Sequence, residues 1–166
     1  DVLNYSLTTP EAEGRLLAGE TETGEQAPYV QVMNKKENQD RSSLRRTLLG
    51  SLMENVATNH RERKRIALFE IGKVYLPEHS PESDDPGDEK LPLEVLKLAM
   101  ALSGPLEESS WKEAKPRDSG FHDLKGITEV LLKKLHVGNI EFKPVQGTPY
   151  HPGVAAALLI DGKPAG

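Results

Sequence analysis

The sequence predicts an α+β fold, a mainly antiparallel sheet with helices on one side. Strand-like runs outnumber helical ones and do not alternate with them regularly. Two long segments carry the 3.6-residue spacing of half-buried helices. Near the C-terminal end an apolar run meets Asp161-Gly162, a strong hairpin signal. There is no internal repeat.

The elements follow in chain order. Residues 1–8, with Val2, Leu3, Tyr5 and Leu7, read as a strand. Thr9-Pro10 starts a helix: Thr9 caps it, Pro10 occupies a first position that needs no N–H, and Glu11 and Glu13 suit its positive end. Residues 19–27 are polar and aperiodic, a loop, and Pro28 to Met33 reads as a strand. Leu44, Leu48, Leu52 and Val56 form the stripe of an amphipathic helix capped by Ser42 or Ser43 and ended by Asn59, which tolerates left-handed backbone. Gly50 costs that helix about 1 kcal/mol relative to Ala. Arg61 to Arg65 is a charged connection.

Ile66 to Tyr75 is the most strand-like run, with Ala67, Phe69 and Ile71 on one face and Leu68, Glu70 and Gly72 on the other. Residues 77–92 hold Pro77, Pro81, Pro86 and six acids and read as a mobile loop. Leu96, Leu98, Met100 and Leu102 alternate with Lys97, Ala99 and Ala101 as a further strand, followed by a polar loop with the single Trp111. Asp123 caps a second main helix, whose buried side is Leu124, Ile127, Leu131 and Leu135 and whose end is Gly138. Ile140 to Val145 and the apolar run Val154 to Ile160 are strands, the latter covered on both sides. The strand returning from Asp161-Gly162 is cut short and no initiator Met is present, so both ends are expected to be truncations.

The 166 residues fit one domain or a large piece of one, enough to bury about 70% of the unfolded chain's surface. Hydrophobic residues are 36% and charged residues 28%, a soluble globular composition, and no run of 18 apolar residues suggests a membrane span. With no Cys, disulfides, thiolate catalysis and Cys-ligated metals are ruled out, in keeping with a cytoplasmic origin. The net charge of -5 is unevenly spread. Residues 35–65 hold nine cations against four acids, whereas residues 1–34 and 76–91 each hold one cation against six acids. A local basic segment in an acidic chain can meet phosphate or an acidic partner; it can equally be a solvated helix flank.

None of the five histidines stands in a metal-ligand spacing, and the Gly-rich phosphate loops and the nucleophile-turn motif are absent. Asp84, Asp85, Asp88 and their neighbours lack the calcium-loop pattern. No catalytic, cofactor-binding or metal-binding residue is therefore assigned. His122-Asp123 is the one acid–base candidate, although adjacent helical side chains diverge and Asp123 is better read as a cap. Arg61, Arg63, Lys64 and Arg65 are candidates for contact with RNA or with a partner, without the interleaved aromatics that stack bases.

The ordered motifs resemble a known family. Ser43-Leu44-Arg45-Arg46-Thr47-Leu48-Leu49-Gly50-Ser51-Leu52 is similar to the LRTSLLPGLL element of the bacterial phenylalanine–tRNA ligase beta subunit. Asn59-His60-Arg61 and Ala67-Leu68-Phe69-Glu70-Ile71-Gly72-Lys73-Val74-Tyr75 resemble its next helix end and strand. Phe121-His122-Asp123-Leu124-Lys125-Gly126 resembles its F-x-DLKG helix start, and His151-Pro152-Gly153 with Asp161-Gly162-Lys163 its HPG element and closing hairpin. The opening Asp1-Val2-Leu3-Asn4-Tyr5-Ser6-Leu7 is similar to the family's E-V-I-T-Y-S-L strand. The matches span nearly the whole chain in the family's order.

The resemblance implies a single domain over residues 1–166 shaped like a class II aminoacyl-tRNA synthetase catalytic core, without the chemistry. It implies an alpha subunit as partner, tRNA bound by the whole enzyme, a cytoplasmic heterotetramer, and ATP and Mg2+ held in the alpha subunit rather than here. Active relatives follow G-x-V-Y with a phosphate-gripping arginine, where this chain has Leu76-Pro77, which offers no phosphate fork. The third class II motif has no counterpart. Gly50-Ser51 stands in place of Pro-Gly, so the helix start should differ slightly, and the family's helix before the first strand is missing. The isolated chain is therefore expected to expose an apolar patch. The rival reading from the residues is a free-standing RNA-binding module built on the basic segment 61–65.

Overall fold

A computed structural model describes residues 1–17, 29–31, 42–79, 91–108, 110–111, 114–146, 150–151 and 153–166. Its elements are helices and small antiparallel sheets, an α+β arrangement. They fall into two compact units: Asp1–Asn59 with Leu68–Ala101, and His60–Ala67 with Leu102–Gly166.

In the first unit the expected opening strand is reduced to β1, Leu7–Thr8, paired antiparallel with β2, Ser43–Leu44. The residues before β1 are held by single backbone bonds rather than a ladder: the Val2 N–H donates to the Phe69 carbonyl at 3.0 Å and the Ser6 carbonyl accepts the Arg45 N–H at 2.9 Å. Helix α1, Pro10–Leu17, starts at Thr9-Pro10 as expected. Thr9 Oγ1 accepts the Ala12 N–H at 3.1 Å, a cap worth about 1 kcal/mol. The loop expected at 19–27 and half of the strand expected at 28–33 lie outside the described residues, and of 29–31 only Gln31 forms a β-bridge. Gln31 makes an isolated bridge to Ser43, and the Val30 carbonyl accepts the Leu44 N–H at 2.8 Å.

Helix α2, Leu49–Asn59, begins later than its stripe of leucines suggested. Ser43 and Leu44 are strand, not cap and first turn, because their backbone groups are taken by β1 and by residue 30. Thr47 Oγ1 accepts the Leu49 N–H at 3.1 Å. Asn59 does end the helix, but through its side chain: Nδ2 donates to the Asn55 carbonyl at 2.8 Å, and Asn59 is not among the residues with left-handed backbone. Among the described residues of this unit, Leu48, Leu52, Val74 and Ala101 are the buried apolar side chains of the core.

Strand β3, Ile66–His79, pairs with β4, Pro92–Ser103. β3 runs four residues past Tyr75, so Pro77 lies inside it. A two-stranded sheet consists only of edges, where a missing N–H is tolerated. Residues 80–90, the bulk of the expected acidic loop, lie outside the described residues.

In the second unit α3, Phe121–Lys134, starts two residues before the expected cap, and Asp123 reaches back from its third position. Its end is a Schellman turn: the Val137 N–H donates to the Leu132 carbonyl and the His136 N–H to the Lys133 carbonyl. His136, at φ 58, takes the left-handed position expected of Gly138. Strand β5, Ile140–Pro144, pairs antiparallel with β6, Ala156–Ile160, and β6 with β7, Lys163–Pro164. The predicted hairpin is present, with Asp161 at φ 50 and Gly162 at φ 75, both signs required by a type I′ turn. β6 is half-buried along its length rather than covered on both sides. His151 and Gly153 form the turn expected there, closed by the Val154 N–H on the His151 carbonyl at 3.1 Å; Pro152 lies outside the described residues.

Candidate functional site: an apolar sheet face backed by a buried ion pair

β3 places alternate residues on opposite faces. Glu70, Gly72 and Val74 point inward, where Glu70 is 1% and Val74 0% exposed. A glutamate in the core requires a partner, and Arg45 supplies it from the segment between β2 and α2. Arg45 Nη1 lies 2.6 Å from Glu70 Oε1, and its Nε donates to the Lys73 carbonyl at 3.0 Å. Asn4 Nδ2 donates to the second oxygen of Glu70 at 2.8 Å, and Asn55 Nδ2 donates to Asn4 Oδ1 at 2.9 Å. Burial pushes the Glu70 carboxyl up, but the bonds from Asn4 and Arg45 outweigh it and hold the group below its usual range. Gly72 completes the arrangement: a Cβ there would collide with the Arg45 guanidinium.

Residues of the opposite parity face out. Phe69 is 43% exposed and Ile71 57%. Lys73 on β3 pairs with Glu94 Oε2 on β4 at 2.5 Å, which sets Glu94, Leu96 and Leu98 on that same face. Leu96 is 68% and Leu98 42% exposed. The alternation read from β4 is therefore present, but Leu96 and Leu98 face outward while Ala101 on the other side is buried. The result is four large apolar side chains on one open sheet face with an ion pair at the rim, whereas a soluble monomer seldom leaves such residues together.

Behind this face the first unit contains a cleft of about 370 Å³. Asn4, Thr9, Glu13, Arg45, Glu54 and Asn55 are among its lining residues. Glu13 is 2% exposed and accepts the Arg46 N–H at 3.1 Å. Burial pushes its carboxyl up, against the opposing pull of the Arg46 and Thr47 amides and the Tyr29 side chain. These residues do not fit a triphosphate. Glu13 and Glu54 add negative charge, and the Arg45 guanidinium is engaged by Glu70. Among the described residues no group of three His, Asp or Glu side chains is placed to hold a metal ion.

The acid–base candidate does not survive the geometry. Asp123 gives both oxygens to Arg117, at 2.6 and 2.7 Å, and one also accepts the Gly120 N–H at 2.9 Å. Arg117 and that amide hold its carboxyl down to about 2, so it stays ionised and caps α3. His122 instead turns toward Phe121, ring centroids 5.5 Å apart at 79°. Arg61, Arg63, Lys64 and Arg65 lie together in the exposed turn after α2. The buried Arg45–Glu70 pair was not singled out from sequence. Its only local sign is Glu70 interrupting the apolar run Ile66–Ile71, and nothing local couples two residues 25 apart.

The whole chain, residues 1–166, matches the model of a family described as the phenylalanyl tRNA synthetase beta chain CLM domain. Similar curated proteins are phenylalanine–tRNA ligase beta subunits. The one from Streptococcus agalactiae is 33% identical over 169 residues, covering 100% of this chain and 19% of the relative. Those from Symbiobacterium thermophilum and Lactococcus lactis are both 34% identical over 100% of this chain, covering 17% and 19% of the relative. The chain thus spans about a fifth of the length of the curated relatives it matches. No helix among the described residues is long and apolar enough to cross a membrane.

Proposed function

The chain belongs to the phenylalanyl tRNA synthetase beta chain CLM domain family, and on that premise we propose that it is a non-catalytic domain of a phenylalanine–tRNA ligase, shaped like a class II synthetase core and serving to hold the catalytic alpha subunit. The observation that carries this reading is the open face of Phe69, Ile71, Leu96 and Leu98. Apolar side chains fixed on a sheet gain free energy when a partner covers them, at roughly 25 cal/mol per Å² removed from water, and the Lys73–Glu94 pair at the rim can orient that partner. The cleft behind the face supports the silent half of the proposal, since its carboxylates repel phosphate and its guanidinium is already engaged. In the whole ligase, ATP and Mg2+ belong to the alpha subunit, which activates phenylalanine for transfer to tRNA in a cytoplasmic heterotetramer.

Co-expression of the full beta subunit with its alpha subunit tests the proposal. The double variant Ile71→Glu/Leu96→Glu is expected to lose most of the alpha subunit on co-purification while keeping its own melting temperature. Full retention of the alpha subunit by that variant refutes the face as the contact. Separately, this chain alone should give no phenylalanine-dependent pyrophosphate exchange with ATP, and clear exchange would refute its silence.

A further inference from the structure

The turn after α2 places Arg61, Arg63, Lys64 and Arg65 within five residues, with Glu62 the only acid among them. All are exposed. Five other cations of the described chain, Arg45, Lys73, Arg117, Lys125 and Lys143, sit in ion pairs. None of the ion pairs among the described residues involves residues 61–65. Yet the turn is held in place. Gly104, at φ 77, lies so close to the Lys64 carbonyl that a Cβ there would overlap it, and Arg65 Nε donates to the Leu106 carbonyl at 3.0 Å. The backbone is thus anchored by interactions that leave the heads of Arg61, Arg63 and Lys64 in water.

A fixed cluster of cations in a chain of net charge -5 repels itself and is relieved by an anion of matching extent. Prior fixation lowers the entropy cost of binding. Arginine and lysine together suit phosphate oxygens, and the turn has no aromatic side chain on which a base could stack. We propose that residues 61–65 contact the phosphate backbone of tRNA, positioning it without reading its sequence. This rests on the reading of the chain as part of a tRNA ligase, since tRNA is the polyanion such an enzyme handles.

The test uses the assembled ligase and purified tRNA, with dissociation constants measured from low to moderate salt. Neutralising three cations, Arg61→Gln/Arg63→Gln/Lys64→Gln, should lower the slope of log affinity against log salt by about two in magnitude, given roughly 0.7 to 0.9 for each phosphate that the protein ceases to neutralise. An unrelated RNA of equal length should bind more weakly in parallel. The charge-keeping variant Arg61→Lys/Arg63→Lys should retain the parental slope. An unchanged slope in the triple variant overturns the proposal. So does loss of the alpha subunit from that variant with the slope of the remaining beta subunit unchanged, which would assign the turn to an acidic protein surface. If the parental beta subunit fails to capture an alpha subunit, the proposed function fails instead, and the slope comparison on the beta subunit alone still decides this one.

Discussion

Arg45 Nη1 and Glu70 Oε1 meet at 2.6 Å with neither side chain more than 5% exposed. Each ion has a further partner, Arg45 the Lys73 carbonyl and Glu70 the Asn4 amide. A buried ion pair adds little over an apolar pair of equal volume, but removing one partner strands the other charge. Arg45→Met or Glu70→Gln is therefore expected to cost about 3–5 kcal/mol in chemical denaturation of this chain. The double variant Arg45→Met/Glu70→Leu should cost less than the sum of the singles. A loss below about 1 kcal/mol for either single change would show that water reaches the pair. The Glu70 carboxyl lies below its ordinary 4.5 in the folded chain, so its contribution is present above about pH 4.5 and fades as pH falls through the folded value.

Gly72 is required by that arginine rather than by its own backbone. Gly72→Ala places a methyl group against a guanidinium already tied at two points. The expected cost is about 1–3 kcal/mol, the range for overpacking. It should shrink when Arg45→Met is also present, since the two changes act on one close approach. Additive losses in a double-mutant cycle would rule this account out.

Glu13 titrates in the opposite sense. Its folded value is raised above 4.5, so the folded chain binds this proton more tightly than the unfolded one. Its stability contribution is then full below about pH 4.5 and declines as pH rises to the folded value. Glu13→Gln should flatten the pH–stability curve over that window, as read by thermal melts at stepped pH. A curve of unchanged slope would show that the carboxylate is not desolvated.

His136 holds a left-handed backbone at the end of α3. That conformation costs a residue with a Cβ roughly 1–2 kcal/mol, a penalty glycine escapes. His136→Gly should raise stability by about 0.5–1 kcal/mol after the greater freedom of glycine in the unfolded chain is counted. Gly138→Ala should leave the helix end unchanged, since Gly138 has no left-handed backbone and open space around a Cβ. A fall in melting temperature for His136→Gly would contradict this.

Features governed by a few neighbouring residues could be read without a structure. Thr9-Pro10 starts α1 because a hydroxyl and an imide act within one turn, and Asp161-Gly162 reverses the chain because its backbone signs are local. The alternation of β3 and the family membership were legible for the same reason: short ordered motifs survive in the chain itself. The start of α2 and the orientation of Leu96 and Leu98 were not, and Asp123, read as the cap of α3, serves from its third position rather than ahead of it. Backbone pairing across dozens of residues claimed Ser43 and Leu44, and the identity of the face that finds a cover lies in the packed chain, not in a period of two. The candidate site divides along the same line. Its exposed apolar residues stand in the sequence as a pattern without a direction. The inward turn of Glu70 onto Arg45, which sends Phe69 and Ile71 outward, exists only once segments far apart in the chain have met.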